Sequence, residues 1–186
     1  PEFGMTINEI KKDGFKVNEK IEMLLSADTD TAIVKAMGLA MITASEVFKR
    51  LKPDLLIILG DRFEMMALAT SAYLMNIPIA HIAGGETTEG AFDEGIRHSI
   101  TKMSSLHFAA TDIYKKRIIQ LGENPKTVFN VGAIGLDNIK NMKLFSRKEL
   151  ENDLKLSFDG KTALVTFHPV TLEKESSQKQ FSQVLN

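Results

Sequence analysis

The stretch LKPDLLIILGDRFEMMALATSAYLMNIPIAHIAGGE, residues 51–86, decides the fold. Leu55–Leu59 is a continuous apolar run bounded by turn residues, and a run without alternation suits a strand covered on both faces. A helix is expected over Arg62–Met75, and Ile77–Ile82 reads as a second strand. Strand, helix and strand at this spacing predict a right-handed βαβ unit.

Working outward, Ile33, Val34, Met37, Met41, Ala44, Val47, Phe48 and Leu51 recur at helical spacing, with Asp28, Thr29 and Asp30 as capping side chains in front. Pro53 ends that helix, because proline has no N–H to donate and restricts the residue before it. Downstream, Asp93–Met103 is expected to be helical and Leu106–Ala110 a short strand. Thr111 then caps a helix running to Leu121 and Gly122. Thr127–Val131 reads as a strand, Ser146–Leu154 as a helix and Thr162–Phe167 as a last strand. Elements alternating in this way indicate a Rossmann-like, doubly wound parallel α/β sheet. The charged segment 142–161 reads as a linker between a first domain, 1–141, and the opening of a second, 162–186, with a single domain as the alternative. Pro1 in place of an initiator Met, and an amphipathic stretch interrupted at Asn186, suggest a chain cut at both ends.

The bulk properties bound the function. With 44% hydrophobic residues in 186, the chain can bury a core. Its 23 basic and 24 acidic side chains give a formal net charge of -1, without the basic footprint that nucleic acid requires. With no cysteine, disulfides, thiolate nucleophiles and cysteine-ligated zinc are excluded. This composition fits a cytoplasmic protein. The apolar run near Leu55 is too short for a membrane span of about 20 residues, and no signal-peptide pattern opens the chain. HExxH, a calcium loop, GxGxxG after a strand and GxxxxGK[ST] are all missing.

Ligands of open parallel sheets bind beyond the carboxyl ends of the strands. That rule selects Gly60, Asp61, Arg62 and Glu64 after the first run. It selects His81, Gly84, Gly85, Glu86, Asp93, Arg97 and His98 after the second. Gly132, Gly135 and Asp137 follow a later strand, and His168 the last. Carboxylates from separate loops would share one rim, where mutual burial drives their pKa values apart and divides acid from base roles. Plainer roles compete. Asp61 and Asp93 can cap helices, Glu86 can be a solvated turn residue, and Arg97 and His98 can pair with the acids structurally. His81 reads as a satisfied core histidine, and His107 has no evident partner.

Taken as a set, GDRFE, HIAGGE, FDEGIRHSITKMS, VGAIGLDNI and TFHPVT resemble the hydrolysing UDP-N-acetylglucosamine 2-epimerases of sialic-acid-type sugar biosynthesis. The resemblance covers essentially the whole chain. It implies a GT-B architecture, with the first domain largely present and the second truncated. The implied reaction eliminates UDP across C1–C2 of the sugar to a 2-acetamidoglucal, then adds water at C1 and a proton at C2 on the opposite face. It implies catalytic roles for Asp61 and Asp93, substrate contacts from Arg62, Arg97, Asp137 and His168, and a loop under the sugar containing Gly85 and Glu86. No redox cofactor and no obligatory metal is implied. The partner is a UDP-sugar, and the full-length protein is expected to be a homo-oligomer while this piece alone is inactive.

One departure stands out. Members such as the animal enzymes carry a catalytic Glu at the third position of the HxEGGE stretch, where this chain has Ala83. Either Glu86 takes over the acid role, or the substrate is a 4-acetamido sugar such as UDP-N,N'-diacetylbacillosamine. A GT-B glycosyltransferase is the rival reading from another class.

Overall fold

The computed structural model describes residues 5–27, 29–168 and 177–185. Helix α1 (Ile7–Lys12) is short and buries nothing. Helix α2 (Asp30–Leu51) starts at Thr29, whose hydroxyl accepts from the Ala32 N–H at 3.2 Å, and ends before Pro53 with Lys52 in the left-handed region. Of the other two expected capping residues, Asp30 is the first residue of the helix and Asp28 lies outside the described residues. Strand β1 (Leu56–Leu59), α3 (Phe63–Leu74), β2 (Ile79–Ile82), α4 (Asp93–Met103), β3 (Leu106–Ala109), α5 (Asp112–Gln120) and β4 (Val128–Asn130) follow in turn. The four strands form one parallel sheet in the order β1-β2-β3-β4.

That order has a consequence for the two faces. Strands laid down successively in one direction, each joined by a right-handed crossover, place every connecting helix on the same side. The register agrees. Ile58, His81, His107 and Val128 form one paired row, and all four are buried. On this face α2, α3 and α4 pack a core around Ala44, Val47, Phe48, Ile58, Ala69, Ala72, Ile79 and Ile100. A smaller cluster joins Ile118 of α5 to Ala109 and Val128. The opposite face lacks this cover: Ile57 is 63% exposed, Leu59 52% and Phe129 43%. The apolar run in β1 therefore buries one face only, against the expectation of two. The described strands form one winding arm of the Rossmann-like sheet.

The buried stripe of α2 also differs from the expected one. Ala32, Ala36, Ala40 and Ala44 face inward with Val47 and Phe48, while Val34 is exposed. Side chains four apart lie along one helix face, and alanines there let α2 approach α3 closely. Among the described residues α2 is the helix long and apolar enough to cross a membrane by length and composition. The apolar run near Leu55 is not the longest apolar segment, as α2 exceeds it. α2 packs one stripe of its surface against α3 and the core.

Beyond β4 the chain carries α6 (Gly135–Asn141), α7 (Arg147–Leu154) and α8 (Ser177–Leu185), none of which buries a residue. α7 begins with a reciprocal capping box between Ser146 and Glu149. Residues 161–168 run without a partner strand, so the strand expected over Thr162–Phe167 does not form. An extended segment becomes a strand only when its backbone groups find a ladder, and among the described residues this one pairs with no neighbouring strand.

Candidate active site

All four strands being parallel, their carboxyl ends open on one edge, and the polar loops there form a single rim. Gly60 turns the chain out of β1 with φ of +80°, a conformation glycine adopts without penalty. Asp61 follows. It does not cap α3, whose N-cap position is Arg62 and lacks a side-chain capping bond. Instead Asp61 Oδ2 accepts from Arg97 Nη2 in an ion pair whose side chains are 23% and 4% exposed.

Arg97 organises this rim. Nη1 donates to the Glu86 carbonyl at 3.0 Å and to Glu94 Oε2 at 3.3 Å. Nη2 also donates to the Thr88 hydroxyl at 2.8 Å. One planar guanidinium thus ties the loop after β1, the loop after β2 and the first turn of α4 together, using the fixed fork of donors that lysine lacks. Glu94 braces the same loop through the Thr88 N–H at 2.6 Å, and that bond first, then His98, holds its carboxyl below the usual range. His98 Nε2 sits 3.2 Å from Glu94, so this histidine pairs structurally.

Asp93 occupies the first turn of α4 without a capping bond, since the N-cap position is Phe92. Burial, and then the charge of Asp61, raise its pKa above the ordinary carboxylate value, with Arg97 and Arg62 pulling the other way. Two carboxylates on one rim thus have unlike environments. One is ion-paired with the buried Arg97, and the other binds its proton more tightly than a free aspartate. This is the separation that acid–base chemistry uses.

Arg62 is mostly exposed and pairs with Glu64 through two bonds of 2.8 and 3.1 Å. Of the two arginines it is the one open to solvent, whereas Arg97 is spoken for by four oxygens. Glu86 offers its carbonyl to Arg97, and among the described residues no partner is assigned to its carboxylate. Ala83, in place of the expected Glu, has φ of +63°, unusual for any residue with a side chain. Asp137 sits exposed on the first turn of α6, beyond the carboxyl end of β4. His168 lies exposed at the end of the unpaired segment 161–168. Neither is bonded to the Arg97 cluster. Of the HPVT motif, Pro169, Val170 and Thr171 lie outside the described residues.

The two adjacent glycines have separate reasons. At Gly84 a Cβ would stand 3.0 Å from both His81 Nδ1 and Thr101 Oγ1. At Gly85, with φ of +76°, it would run into the Tyr114 carbonyl oxygen and approach Ile118 Cγ1 to 2.8 Å. Arg117 Nη1 donates to the Gly85 carbonyl, seating the loop on α5.

Sequence reasoning missed Thr88, Glu94, Thr101 and Arg117. Glu94, Arg97, His98 and Thr101 recur at i, i+3, i+4 and i+7 on α4, a single polar stripe that periodicity alone would have marked. His107, expected to lack a partner, is buried with Nε2 3.3 Å from Glu123 Oε2, although the alignment is too poor for a hydrogen bond. Burial lowers its pKa.

A one-directional parallel sheet with an acidic, arginine-clamped rim at its carboxyl edge defines a Rossmann-like ligand-binding domain, of the GT-B type. The chain belongs to the UDP-N-acetylglucosamine 2-epimerase family, whose sequence model matches residues 1–186. It is 48% identical over 185 residues to the GDP/UDP-N,N'-diacetylbacillosamine 2-epimerase (hydrolyzing) of Campylobacter jejuni, covering 100% of this chain and 48% of that protein. It is 40% identical over 183 residues to the UDP-N,N'-diacetylbacillosamine 2-epimerase (hydrolyzing) of Legionella pneumophila, covering 98% and 48%. The crystal structure of UDP-GlcNAc 2-epimerase from Neisseria meningitidis bound to UDP-GlcNAc superimposes with a TM-score of 0.65 at 18% identity, over 78% of this chain and 41% of that one. The chain spans about half the length of these relatives.

Proposed function

We propose that the full-length protein is a hydrolysing 2-epimerase of UDP-linked 2-acetamido sugars, working in the cytoplasm as a homo-oligomer. The observation that carries the chemistry is the proximity of Asp93, whose proton affinity is raised, to Asp61, which is ion-paired with Arg97. In this reading Asp93 takes the proton from C2 of the sugar. The C2–H electron pair becomes the C1=C2 bond as the C1–O bond to UDP breaks, and the nucleotide leaves with both electrons. A proton then adds to C2 from the opposite face, taking the electron pair of the C1=C2 bond, while a water oxygen bonds to the electron-poor C1 and releases one proton to solvent. The net change is UDP-sugar plus water to UDP and the free 2-epimeric sugar. Glu86, the carboxylate left unpaired near the loop under the sugar, is the candidate for the second proton. Arg62, open to solvent, is the candidate phosphate contact, and Asp137 and His168 complete the substrate-binding set. Proton transfer by a positioned side chain contributes about 10²–10⁴-fold, so two such groups are a substantial part of the rate.

Of the two sugars considered above, UDP-N,N'-diacetylbacillosamine is favoured over UDP-N-acetylglucosamine. The relatives named for that substrate are 48% and 40% identical to this chain. We keep domain limits at 1–141, 142–161 and 162–186; among the described residues, α7 and α8 beyond the first limit bury nothing. The sheet edge is then the sugar-facing half of a cleft that residues 1–186 do not close, so this piece alone is expected to show no turnover.

Full-length protein should release UDP together with a free 2,4-diacetamido sugar. Its kcat/KM for the diacetamido substrate should exceed that for UDP-N-acetylglucosamine by about tenfold or more, the scale on which a pocket rejects a missing substituent. A preference for UDP-N-acetylglucosamine would return the assignment to the first sugar. Turnover only in the presence of a sugar acceptor would replace the epimerase with a glycosyltransferase.

A further inference from the structure

His81 is wholly buried in the middle row of the sheet, yet one ring nitrogen reaches an oxygen of the rim and the other the hydroxyl of Thr101 in the last turn of α4. Nε2 lies 2.8 Å from the carbonyl oxygen of Gly60, the residue before Asp61. Nδ1 lies 3.1 Å from the hydroxyl of Thr101, which itself sits 3.0 Å from the carbonyl oxygen of Arg97. A carbonyl can only accept, so Nε2 carries a hydrogen. In the neutral ring Nδ1 is then an acceptor, and the single Thr101 hydroxyl proton is shared between Nδ1 and the Arg97 carbonyl. Burial lowers the ring's pKa to about 4, and the nearby charges are mixed, with Asp61 opposing and Arg97 and His107 adding to the fall. The ring is therefore neutral throughout the range in which an enzyme of this kind works.

We propose that His81 is a positioning residue, fixing Asp61 against Arg97 by holding the Gly60 carbonyl on one side and the Thr101–Arg97 backbone on the other. The bridge spans the two elements that carry the ion pair, the turn after β1 and the helix α4. It explains Gly84 as well, because a methyl group there would stand 3.0 Å from each atom of the His81–Thr101 contact. A histidine serving only to fill the core would be replaceable by an apolar ring of similar size. A bridging histidine would not.

The proposal rests on the epimerase reading, and the test separates the two. In the full-length protein, His81→Phe should lower kcat about 100-fold, the effect of shifting by about an ångström the Asp61–Arg97 pair whose charges act on Asp93, while KM changes little. His81→Gln, whose amide N–H can still reach the Gly60 carbonyl, should recover most of that loss. Thr101→Val should lower kcat about tenfold and Thr101→Ser should not. Near wild-type kcat in His81→Phe, or a loss confined to KM, overturns the proposal. If His81→Phe does not fold, Thr101→Val and Gly84→Ala judge the same bridge, and normal kcat in both overturns it. Histidine-selective ¹⁵N spectra of the wild type give a readout independent of turnover. His81 should hold the Nε2–H tautomer and stay neutral from pH 8 to pH 5, and an Nδ1–H tautomer would refute the bridge. Absence of epimerase activity in the wild type would sink the functional reading and leave the spectra to decide on His81.

Discussion

Gly85→Ala is expected to destabilise the protein by about 3 kcal/mol, the sum of a left-handed backbone with a side chain and an overpacked contact. The φ of +76° supplies the first part. The second comes from atoms that cannot easily retreat: the Tyr114 carbonyl belongs to the backbone of α5, and Ile118 is one of its buried core residues. Gly60 is the internal control. Its φ is +80°, but a Cβ there meets nothing within 4 Å. Gly60→Ala should therefore show the backbone cost alone, about 1–2 kcal/mol. Chemical denaturation of the two variants measures the difference directly. Equal losses would mean that the loop after β2 is not seated on α5 as described. The same displacement would move Glu86, so Gly85→Ala should also lose turnover.

The second large effect falls on Asp93. Asp93→Asn should reduce kcat by about 10³-fold, within the range for removing a general acid or base. Its effect on stability should have the opposite sign. Burial and the Asp61 charge raise the folded-state pKa of Asp93 above the ordinary 3.8. The folded protein therefore binds this proton more tightly than the unfolded chain. The stability so gained is whole below the unfolded value and is lost as pH rises through the folded one. At neutral pH the wild type carries an ionised, crowded carboxylate that asparagine lacks. Asp93→Asn should consequently melt higher than wild type at pH 7, with the advantage shrinking towards pH 4. Asp61→Asn should behave differently. It strips Arg97 of a buried partner, and such losses typically cost several kcal/mol. Thermal melts of both variants across that pH range, alongside kcat, check the assignment. A lower melting temperature for Asp93→Asn at neutral pH would contradict the crowding of the two acids.

Much of this was legible from residues 51–86 and their neighbours. Apolar runs bounded by Gly, Pro and Asp mark β1 and β2, and the rule that ligands sit beyond parallel strands selects Asp61, Glu86, Asp93 and Arg97 as occupants of one edge. The capping side chains Thr29, Thr111 and Ser146 were equally readable, because a cap is a local bond between near neighbours. What escaped depended on how distant elements meet. Which face of LLIIL is covered follows from the winding direction, and no single strand reveals it. The inward stripe of α2 is alanine because α3 approaches closely, whereas hydrophobicity alone points to the larger Val34. Thr162–Phe167 is apolar enough for a strand but finds no ladder. Asp61 has the sequence position of a helix cap, and only the fold shows that Arg97, 36 residues later, claims it instead. His107 meets Glu123 for the same kind of reason, across a turn that periodicity does not describe.

The proposed mechanism requires a carboxylate rim that removes and restores the C2 proton of a nucleotide sugar while the nucleotide departs. Proton NMR of the full-length protein turning over its UDP-sugar in D₂O tests this most directly. The prediction is free UDP and a free 2-epimeric sugar bearing deuterium at C2, with the deuterium absent from unreacted substrate early in the reaction. A product still attached to UDP, or a released sugar that keeps its original C2 proton, would contradict it.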